Sequence, residues 1–147
     1  MPVAGREGEA GAPRAREGEV ALIVEDDEAV RDSTIGLIEE LGYSVLAARN
    51  SAEALELLRG SARVDLLFTD IVLRRGMDGR ALALEARALR PALPVLFTTG
   101  YTENAIRGRG RLEQFAQFLA KPYTQEQLAV KIRATLDAAG AQSSRST

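Results

Sequence analysis

The sequence predicts an α/β domain built on a doubly wound, five-stranded parallel sheet. Two observations support this prediction: short apolar runs recur through residues 20–137, and the segments between them carry apolar residues at helical spacing. Such alternation favours parallel strands joined by right-handed crossovers, with helices on both faces of the sheet. A chain of 147 residues can hold one such domain with a sizeable core.

Each predicted strand is a short run rich in branched or aromatic residues. The five runs are VALIV at 20–24, YSVLAA at 43–48, VDLLFT at 64–69, PVLFTT at 94–99 and QFLA at 117–120. Continuous apolar runs of this length are typical of strands buried on both faces of a sheet.

Four of the intervening segments have a clear helical stripe of core-facing residues. The predicted stripes are Val30, Thr34, Leu37 and Leu41; Ala54, Leu55 and Leu58; Leu82, Ala86 and Leu89; and Leu128, Ile132 and Leu136. The remaining segment, ENAIRGRGRLEQ, contains two glycines, so we expect the fourth of the five helices to be short or irregular.

Helix ends are marked by residues that satisfy free backbone groups. Gly42 is placed to end the first helix, Ser51 to cap the second, and Pro91 to close the third. Thr124 and Gln127 have the spacing of a capping box at the start of the last helix.

The two ends of the chain differ in composition from its middle. Residues 1–19 consist mainly of Gly, Ala, Pro, Arg and Glu, and residues 138–147 are similarly poor in large apolar residues. We expect a disordered arm or linker over 1–19, a folded domain over 20–137, and a disordered tail over 138–147.

Composition excludes several classes of function. The chain has no cysteine and no histidine, so thiol catalysis, thiolate metal sites and a histidine general base are absent. A formal net charge of −2 argues against nucleic acid as the main partner, and the arginines of RGRGR at 107–111 are interpreted as a solvated face. No segment has the length of a membrane span or a signal-peptide core, so we expect a cytoplasmic protein that does not enter the membrane.

Polar side chains stand at the ends of four predicted strands. They are Glu25, Asp26 and Asp27 after the first strand, Asp70 after the third, Thr98 and Thr99 at the end of the fourth, and Lys121 after the fifth. Function in open parallel sheets is located beyond the carboxyl ends of the strands, so we expect these groups to lie together.

Such a cluster favours phosphoryl chemistry with a divalent cation. Neighbouring carboxylates repel by up to ~4 kcal/mol, and an open site made only of oxygen ligands suits Mg²⁺. Asp70 beside Mg²⁺ and Lys121 would be a nucleophile for phosphorus, and Thr99 could help to neutralise the phosphoryl oxygens. Taken singly, each residue also has a structural interpretation, as a helix cap, a strand end or a turn.

Four motifs in this order resemble the receiver domain of two-component response regulators over nearly all of residues 20–137: IVEDDEAVR, FTDIVL with MDG following, LFTTGY, and FLAKPY. The resemblance implies a flavodoxin-like (βα)5 fold with strand order 2-1-3-4-5. FTTGYTENAI and the short fourth helix are more similar to receivers of hybrid histidine kinases than to those of DNA-binding regulators.

The resemblance also implies a role for each site residue. Glu25 and Asp26 would be an acidic pair for Mg²⁺, Asp70 the phosphoacceptor and a metal ligand, and Val72 a metal ligand through its backbone carbonyl. Thr99 would be the switch hydroxyl, Phe118 the switch aromatic, and Lys121 the partner of the phosphoryl oxygens. Asp27 would cap the first helix. The bond from Lys121 to Pro122 is expected to be cis.

Besides the short fourth helix and FTTGYTENAI, two features depart from the usual family pattern. The segment LRRGMDG is one residue longer than usual, lacks the usual proline and carries Arg74. The switch aromatic is Phe118, so an output that needs a tyrosine hydroxyl is not expected.

The leading hypothesis is a stand-alone receiver that takes a phosphoryl group from a histidine kinase or a histidine phosphotransfer protein and signals to an unknown protein target. The fourth helix, fifth strand and fifth helix would form the output face, which is also the candidate surface for a homodimer contact. It would not be an enzyme beyond its own phosphorylation and dephosphorylation.

Two alternatives remain open. An interaction module that never accepts phosphate would not need the full set of site residues. A Mg²⁺-dependent phosphohydrolase generally has a second acid two residues after its nucleophile, where this chain has Val72. A dinucleotide-binding domain is disfavoured because no glycine-rich fingerprint follows the first strand.

Overall fold

The structure is a computed structural model that describes residues 13–73, 78–99 and 116–146. Its centre is one parallel sheet with the strand order 2-1-3-4-5, which confirms the predicted topology. The strands are β1 (Val20–Val24), β2 (Ser44–Ala48), β3 (Leu66–Asp70), β4 (Val95–Thr99) and β5 (Ala116–Ala120).

Four helices lie within the described residues. They are α1 (Glu28–Glu40), α2 (Ser51–Arg59), α3 (Gly79–Leu89) and α4 (Gln125–Ser146). The helix α4 is the fifth of the helices predicted from the sequence, because the segment predicted to form the fourth helix lies outside the described residues.

The core lies in two layers, one on each face of the sheet. Alternate residues of β1 point to opposite faces, as the pleat requires: Leu22 and Val24 join the layer under α2 and α3, whereas Ile23 joins the layer under α1 and α4. The sheet is therefore covered on both faces, as a doubly wound fold demands.

Three of the four predicted helix signals are confirmed. Gly42 has a φ of +101°, a left-handed value that favours glycine at the end of α1. At α4, the Thr124 N–H donates to Gln127 Oε1 at 2.9 Å, and the Gln127 N–H donates to Thr124 Oγ1 at 3.1 Å, which completes the capping box. Pro91 follows α3 after a single residue, as the sequence predicted for its end.

The predicted cap of α2 is wrong by one residue. Asn50 is the N-cap, and its side chain accepts from the Glu53 N–H at 2.9 Å. Ser51 is the first residue of the helix and is buried. Asparagine and serine cap helices about equally well, so two adjacent cap residues cannot be distinguished by preference alone.

The predicted stripes need two corrections. In α1 the buried positions include Thr34 and Ile38, whereas Val30 lies in the first turn and is 42% exposed. In α3 the last residue, Leu89, is 41% exposed. Both errors fall at helix ends, in the first turn of α1 and at the last residue of α3.

Both terminal segments differ from the predicted disorder. The Ala15 N–H donates to the Leu41 carbonyl at 3.0 Å, so residues 13–19 pack against the domain; residues 1–12 lie outside the described part of the chain. At the other end α4 continues to Ser146, because alanine has the highest helix propensity and Gly140 alone does not end the helix. No helix in the described ranges is long and apolar enough to cross a membrane.

Candidate functional site

The carboxylate of Asp70 stands at the carboxyl end of β3, as the sequence predicted. Its Oδ2 accepts a hydrogen bond from Lys121 Nζ at 2.6 Å, and its Oδ1 accepts from the Val72 N–H at 3.2 Å. The Asp70 side chain is 16% exposed. The acid inside the apolar strand is thus paired with a cation and remains accessible at the surface.

Lys121 reaches Asp70 because β5 lies next but one to β3 in the sheet. Pairing of β4 with β5 extends to Thr99 and Ala120, and the Lys121 N–H then donates to the Thr99 carbonyl at 2.9 Å. The following bond to Pro122 is cis, as expected. These contacts place the lysine at the carboxyl edge of the sheet.

Charge, rather than burial, decides the ionisation of Lys121. Burial alone would lower the pKa of its ammonium, but the hydrogen bond to Asp70 and the negative charges of Asp70 and Glu25 outweigh burial and raise that pKa. The lysine is therefore a firmly protonated partner for the Asp70 carboxylate.

Glu25 lies directly after β1 and is buried. Its Oε2 accepts from the Asp27 N–H at 3.0 Å. Burial raises the pKa of Glu25; the Asp27 N–H opposes this effect, whereas a hydrogen bond with Asp26 and the charge of Asp70 add to it. Glu25, Asp26 and Asp70 are therefore close enough to interact, as expected of the strand ends.

Asp27 caps α1 in the way that the resemblance implied. It is the N-cap residue, and its Oδ1 accepts from the Val30 N–H at 3.0 Å. Arg31, one turn further along α1, donates from a guanidinium nitrogen to the Glu25 carbonyl at 2.9 Å. The first turn of the helix therefore fixes the backbone on both sides of Asp26.

The three carboxylates do not form a ready-made metal cluster. Among the residues that the structure describes, no group of three or more His, Cys, Asp or Glu side chains is arranged to hold a metal ion. The predicted ligand set of Glu25, Asp26, Asp70 and the Val72 carbonyl stays a prediction, and Asp70 Oδ2 is paired with Lys121 Nζ. The donors are nevertheless all anionic oxygens, and Mg²⁺ needs only one or two carboxylates beside water and phosphate oxygens. The donor chemistry fits Mg²⁺.

The two predicted switch residues lie on neighbouring strands. Thr99 is the last residue of β4 and is buried. Phe118 stands opposite Phe97 across β4 and β5, and the two rings stack with centroids 5.4 Å apart and planes at 22°. The ring of Phe118 therefore packs on the core from a partly exposed position.

Two further residues at the site were missed from the sequence. Tyr123 hydrogen-bonds with Thr34 and lines a cavity of about 10 Å³ beside Glu25, Asp70 and Lys121, which is room for about one water. Its position after the cis proline did not indicate from the sequence that it lies at the site.

Gly79, the first residue of α3, donates its N–H to the Ile71 carbonyl at 2.7 Å, directly behind Asp70. The Asp-Gly pair at the start of the third predicted helix was a usable signal for it. Arg74 and the arginines of 107–111 lie outside the described residues.

Comparison with known proteins gives a consistent result. A family model described as the response regulator receiver domain matches residues 21–133. The sensor kinase CckA of Brucella abortus is 33% identical over 117 residues, which are 79% of this chain and 12% of that protein. The response regulator MprA of Mycobacterium avium is 34% identical over 115 residues, 78% of this chain and 50% of that protein. The chain thus spans half or less of these curated relatives.

Solved structures show the same similarity over the whole domain. The receiver domain of the hybrid histidine kinase CckA aligns with a TM-score of 0.65 and 33% identity, covering 80% of this chain and 98% of that one. A CheY-like receiver domain protein from Methanospirillum hungatei aligns with a TM-score of 0.73 and 32% identity, covering 86% and 99%.

Proposed function

The chain belongs to the response regulator receiver domain family of two-component signal transduction, and on that premise we propose that it is a cytoplasmic switch that accepts a phosphoryl group on Asp70. The observation that carries the proposal is the 2.6 Å contact between Asp70 Oδ2 and Lys121 Nζ at the carboxyl edge of the sheet. A nucleophilic carboxylate and a fixed positive charge stand there side by side, close to the surface.

The phosphoryl donor is a phosphohistidine of a histidine kinase or a histidine phosphotransfer protein. A carboxylate oxygen of Asp70 attacks the phosphorus and forms an O–P bond while the P–N bond breaks. The electron pair of the P–N bond stays on the imidazole nitrogen, so that a phosphohistidine protonated on its other ring nitrogen leaves as neutral imidazole. The product is an acyl phosphate on Asp70. Lys121 neutralises charge on the phosphoryl oxygens, which is the main demand of phosphoryl transfer.

Mg²⁺ is the proposed cofactor. Asp26 and Asp70 would hold it, with Glu25 beside them and the Val72 carbonyl as a backbone ligand. When bound, the ion supplies positive charge to the phosphoryl oxygens and offsets the repulsion among the acids. The support is the set of anionic oxygen donors that follow β1 and β3.

The proposed readout is a rearrangement of the switch pair. A phosphoryl group on Asp70 attracts the Thr99 hydroxyl, and Phe118 on β5 follows it into the space that opens. The surface formed by the predicted fourth helix, β5 and α4 would then bind either a protein target or a second copy of the chain. A groove of about 460 Å³ on β5 and α4, bordered by Leu119 and Val130, supports this choice.

The test is phosphorylation by a small donor. The protein is incubated with acetyl phosphate and Mg²⁺, and intact mass is compared for the parent, Asp70→Asn and Asp32→Asn. Asp32 is an exposed acid on α1, so its variant is a matched control for the loss of one carboxylate. We expect one phosphoryl adduct on the parent and on Asp32→Asn, and none on Asp70→Asn or with EDTA.

Each other outcome favours one alternative. A parent protein that takes no adduct from acetyl phosphate or from a phosphorylated histidine phosphotransfer domain would contradict the switch and favour the interaction module. Sustained turnover of the donor, with phosphate released faster than the adduct accumulates, would favour a phosphohydrolase.

A further inference from the structure

The helix α3 begins in direct contact with the backbone that carries Asp70. Asp78 is the N-cap of this helix, and its Oδ1 accepts from the Ala81 N–H at 2.9 Å. Gly79 follows, is buried, and donates its N–H to the Ile71 carbonyl at 2.7 Å. The first turn of α3 is therefore anchored to the residue next to Asp70.

Only glycine fits at position 79 in this arrangement. A Cβ built on Gly79 would overlap the Asp70 carbonyl oxygen and would lie 2.8 Å from Ile71 Cα and 2.9 Å from the Ile71 carbonyl oxygen. Real Cβ atoms essentially never approach other atoms closer than 3.0 Å. All three contacted atoms belong to the backbone, so no change of side-chain rotamer can relieve the overlap. Either α3 or the end of β3 would have to move.

The peptide that follows Asp70 is held from two sides. On one side the Ile71 N–H donates to the Thr98 carbonyl of β4 at 3.0 Å, and on the other the Ile71 carbonyl accepts from Gly79. A displacement of α3 would therefore reach the backbone of Asp70. The Asp70 carboxylate makes two contacts that depend on this backbone, one to Lys121 and one to the Val72 N–H.

We propose that Gly79 is a positioning residue for phosphoryl acceptance: the lack of a Cβ lets α3 approach closely enough to orient the Asp70 carboxylate against Lys121. The inference rests on the proposed function, since it assigns Gly79 a part in that reaction. Gly79 acts through Asp70 and does not itself contact the phosphoryl group.

The test compares Gly79→Ala with Gly36→Ala. Gly36 lies on α1, and nothing stands within 4 Å of a Cβ placed there, so its variant adds the same methyl group without an overlap. The rate of adduct formation with acetyl phosphate and Mg²⁺ is measured at equal folded fractions, judged by circular dichroism. We expect a loss of about tenfold or more in Gly79→Ala, since small misplacements of reacting groups are costly, and the parent rate in Gly36→Ala.

A spectroscopic readout separates positioning from a purely structural role. The Cγ of Asp70 belongs to the carboxylate that Lys121 Nζ and the Val72 N–H contact, so its ¹³C resonance reports the surroundings of that carboxylate. We expect this resonance to shift in Gly79→Ala and to stay in place in Gly36→Ala. A parent-like rate, or an unshifted Asp70 Cγ resonance, would overturn the inference.

A second variant tests the inference if Gly79→Ala does not fold completely. If Gly79→Ala is partly unfolded, the measurements are repeated in Gly36→Ala/Gly79→Ala, because alanine in the interior of α1 stabilises the helix. Failure of both variants to fold would overturn the positioning role in favour of a structural one. If the parent protein itself accepts no phosphoryl group, the proposed function fails. Failure of the proposed function can therefore be distinguished from failure of the positioning role of Gly79.

Discussion

Asp70 and Lys121 are 51 residues apart in the sequence, yet their side chains form an ion pair of 2.6 Å at one edge of the sheet. They meet because β3, β4 and β5 are neighbours in the strand order and all three end at this edge. The pair places the proposed phosphoacceptor beside the ammonium group that would bind the phosphoryl oxygens.

Removal of the Lys121 charge should slow phosphorylation. In Lys121→Gln we expect the rate of adduct formation with acetyl phosphate to fall by a factor on the order of 10², because a preorganised charge at the transition state is lost. Intact mass spectrometry against time measures the rate. The other lysine of the chain, Lys131 on α4, is the matched control, and Lys131→Gln should react like the parent. Equal rates in both variants would mean that Lys121 has no part in the reaction.

Mg²⁺ should stabilise the folded protein through the acids after β1. At a concentration 100 times its Kd, an ion that binds only the folded state adds about 2.7 kcal/mol to the free energy of unfolding. We expect a Mg²⁺-dependent rise in Tm for the parent and for the surface control Asp32→Asn, and little or no rise for Asp26→Asn. Thermal denaturation followed by circular dichroism tests this; an undiminished rise in Asp26→Asn would remove that acid from the proposed ligands.

The ion pair of Glu19 and Arg133 should make stability depend on pH. Arg133 donates to both carboxylate oxygens of Glu19, at 2.8 and 3.0 Å, and both side chains are 13% exposed. The hydrogen bond from Arg133 lowers the pKa of Glu19 below its usual value of 4.5. The stabilisation is therefore complete above that value and is lost as the pH falls through the lower, folded-state pKa.

Urea denaturation at several pH values measures this effect. Near pH 7 we expect Glu19→Gln to lower the free energy of unfolding by about 1.5–3 kcal/mol, the usual worth of hydrogen bonds to a charged group. Because the parent loses the same contribution in acid, the two proteins should converge as the pH falls below 4.5. Glu17→Gln, an exposed neighbour, should follow the parent throughout. A constant difference between Glu19→Gln and the parent at all pH values would contradict the assignment.

One face of α4 should carry most of its contribution to stability. Leu128 is fully buried against the sheet, whereas Val130, two residues later, is 49% exposed. We expect Leu128→Ala to cost about 2–5 kcal/mol of unfolding free energy and Val130→Ala to stay within about 0.5 kcal/mol of the parent. Chemical denaturation of both variants checks the pair. Similar losses in the two would show that α4 packs through a different face.

The sheet and the pair of Asp70 and Lys121 at the centre of the site could be predicted from the sequence. Apolar runs with helical stripes between them predicted parallel strands, and the carboxyl ends of such strands must share an edge. The sequence alone therefore predicted that Asp70 and Lys121 lie together. The cap of α2 was misplaced by one residue because Asn50 and Ser51 satisfy the same local rule.

The segment 13–19 shows where a prediction from composition fails. Its few apolar residues predicted disorder, but Ala15 pairs with Leu41 and Glu19 binds Arg133, whose side chain lies 114 residues further along the chain. A partner so distant leaves no local pattern, so the segment could not be distinguished from a free arm.

Local patterns in the sequence predict the five strands, the four described helices and the kinds of side chain at each strand end, because these depend on periodicity and on neighbours close along the chain. Which atoms meet follows instead from the packing of the fold: Gly79 against the Asp70 carbonyl, Lys121 on Asp70 Oδ2, and Arg133 on Glu19. The reason is physical. Contacts of a few ångströms between distant residues depend on how helices and strands pack, and close packing tolerates only certain side chains at each approach.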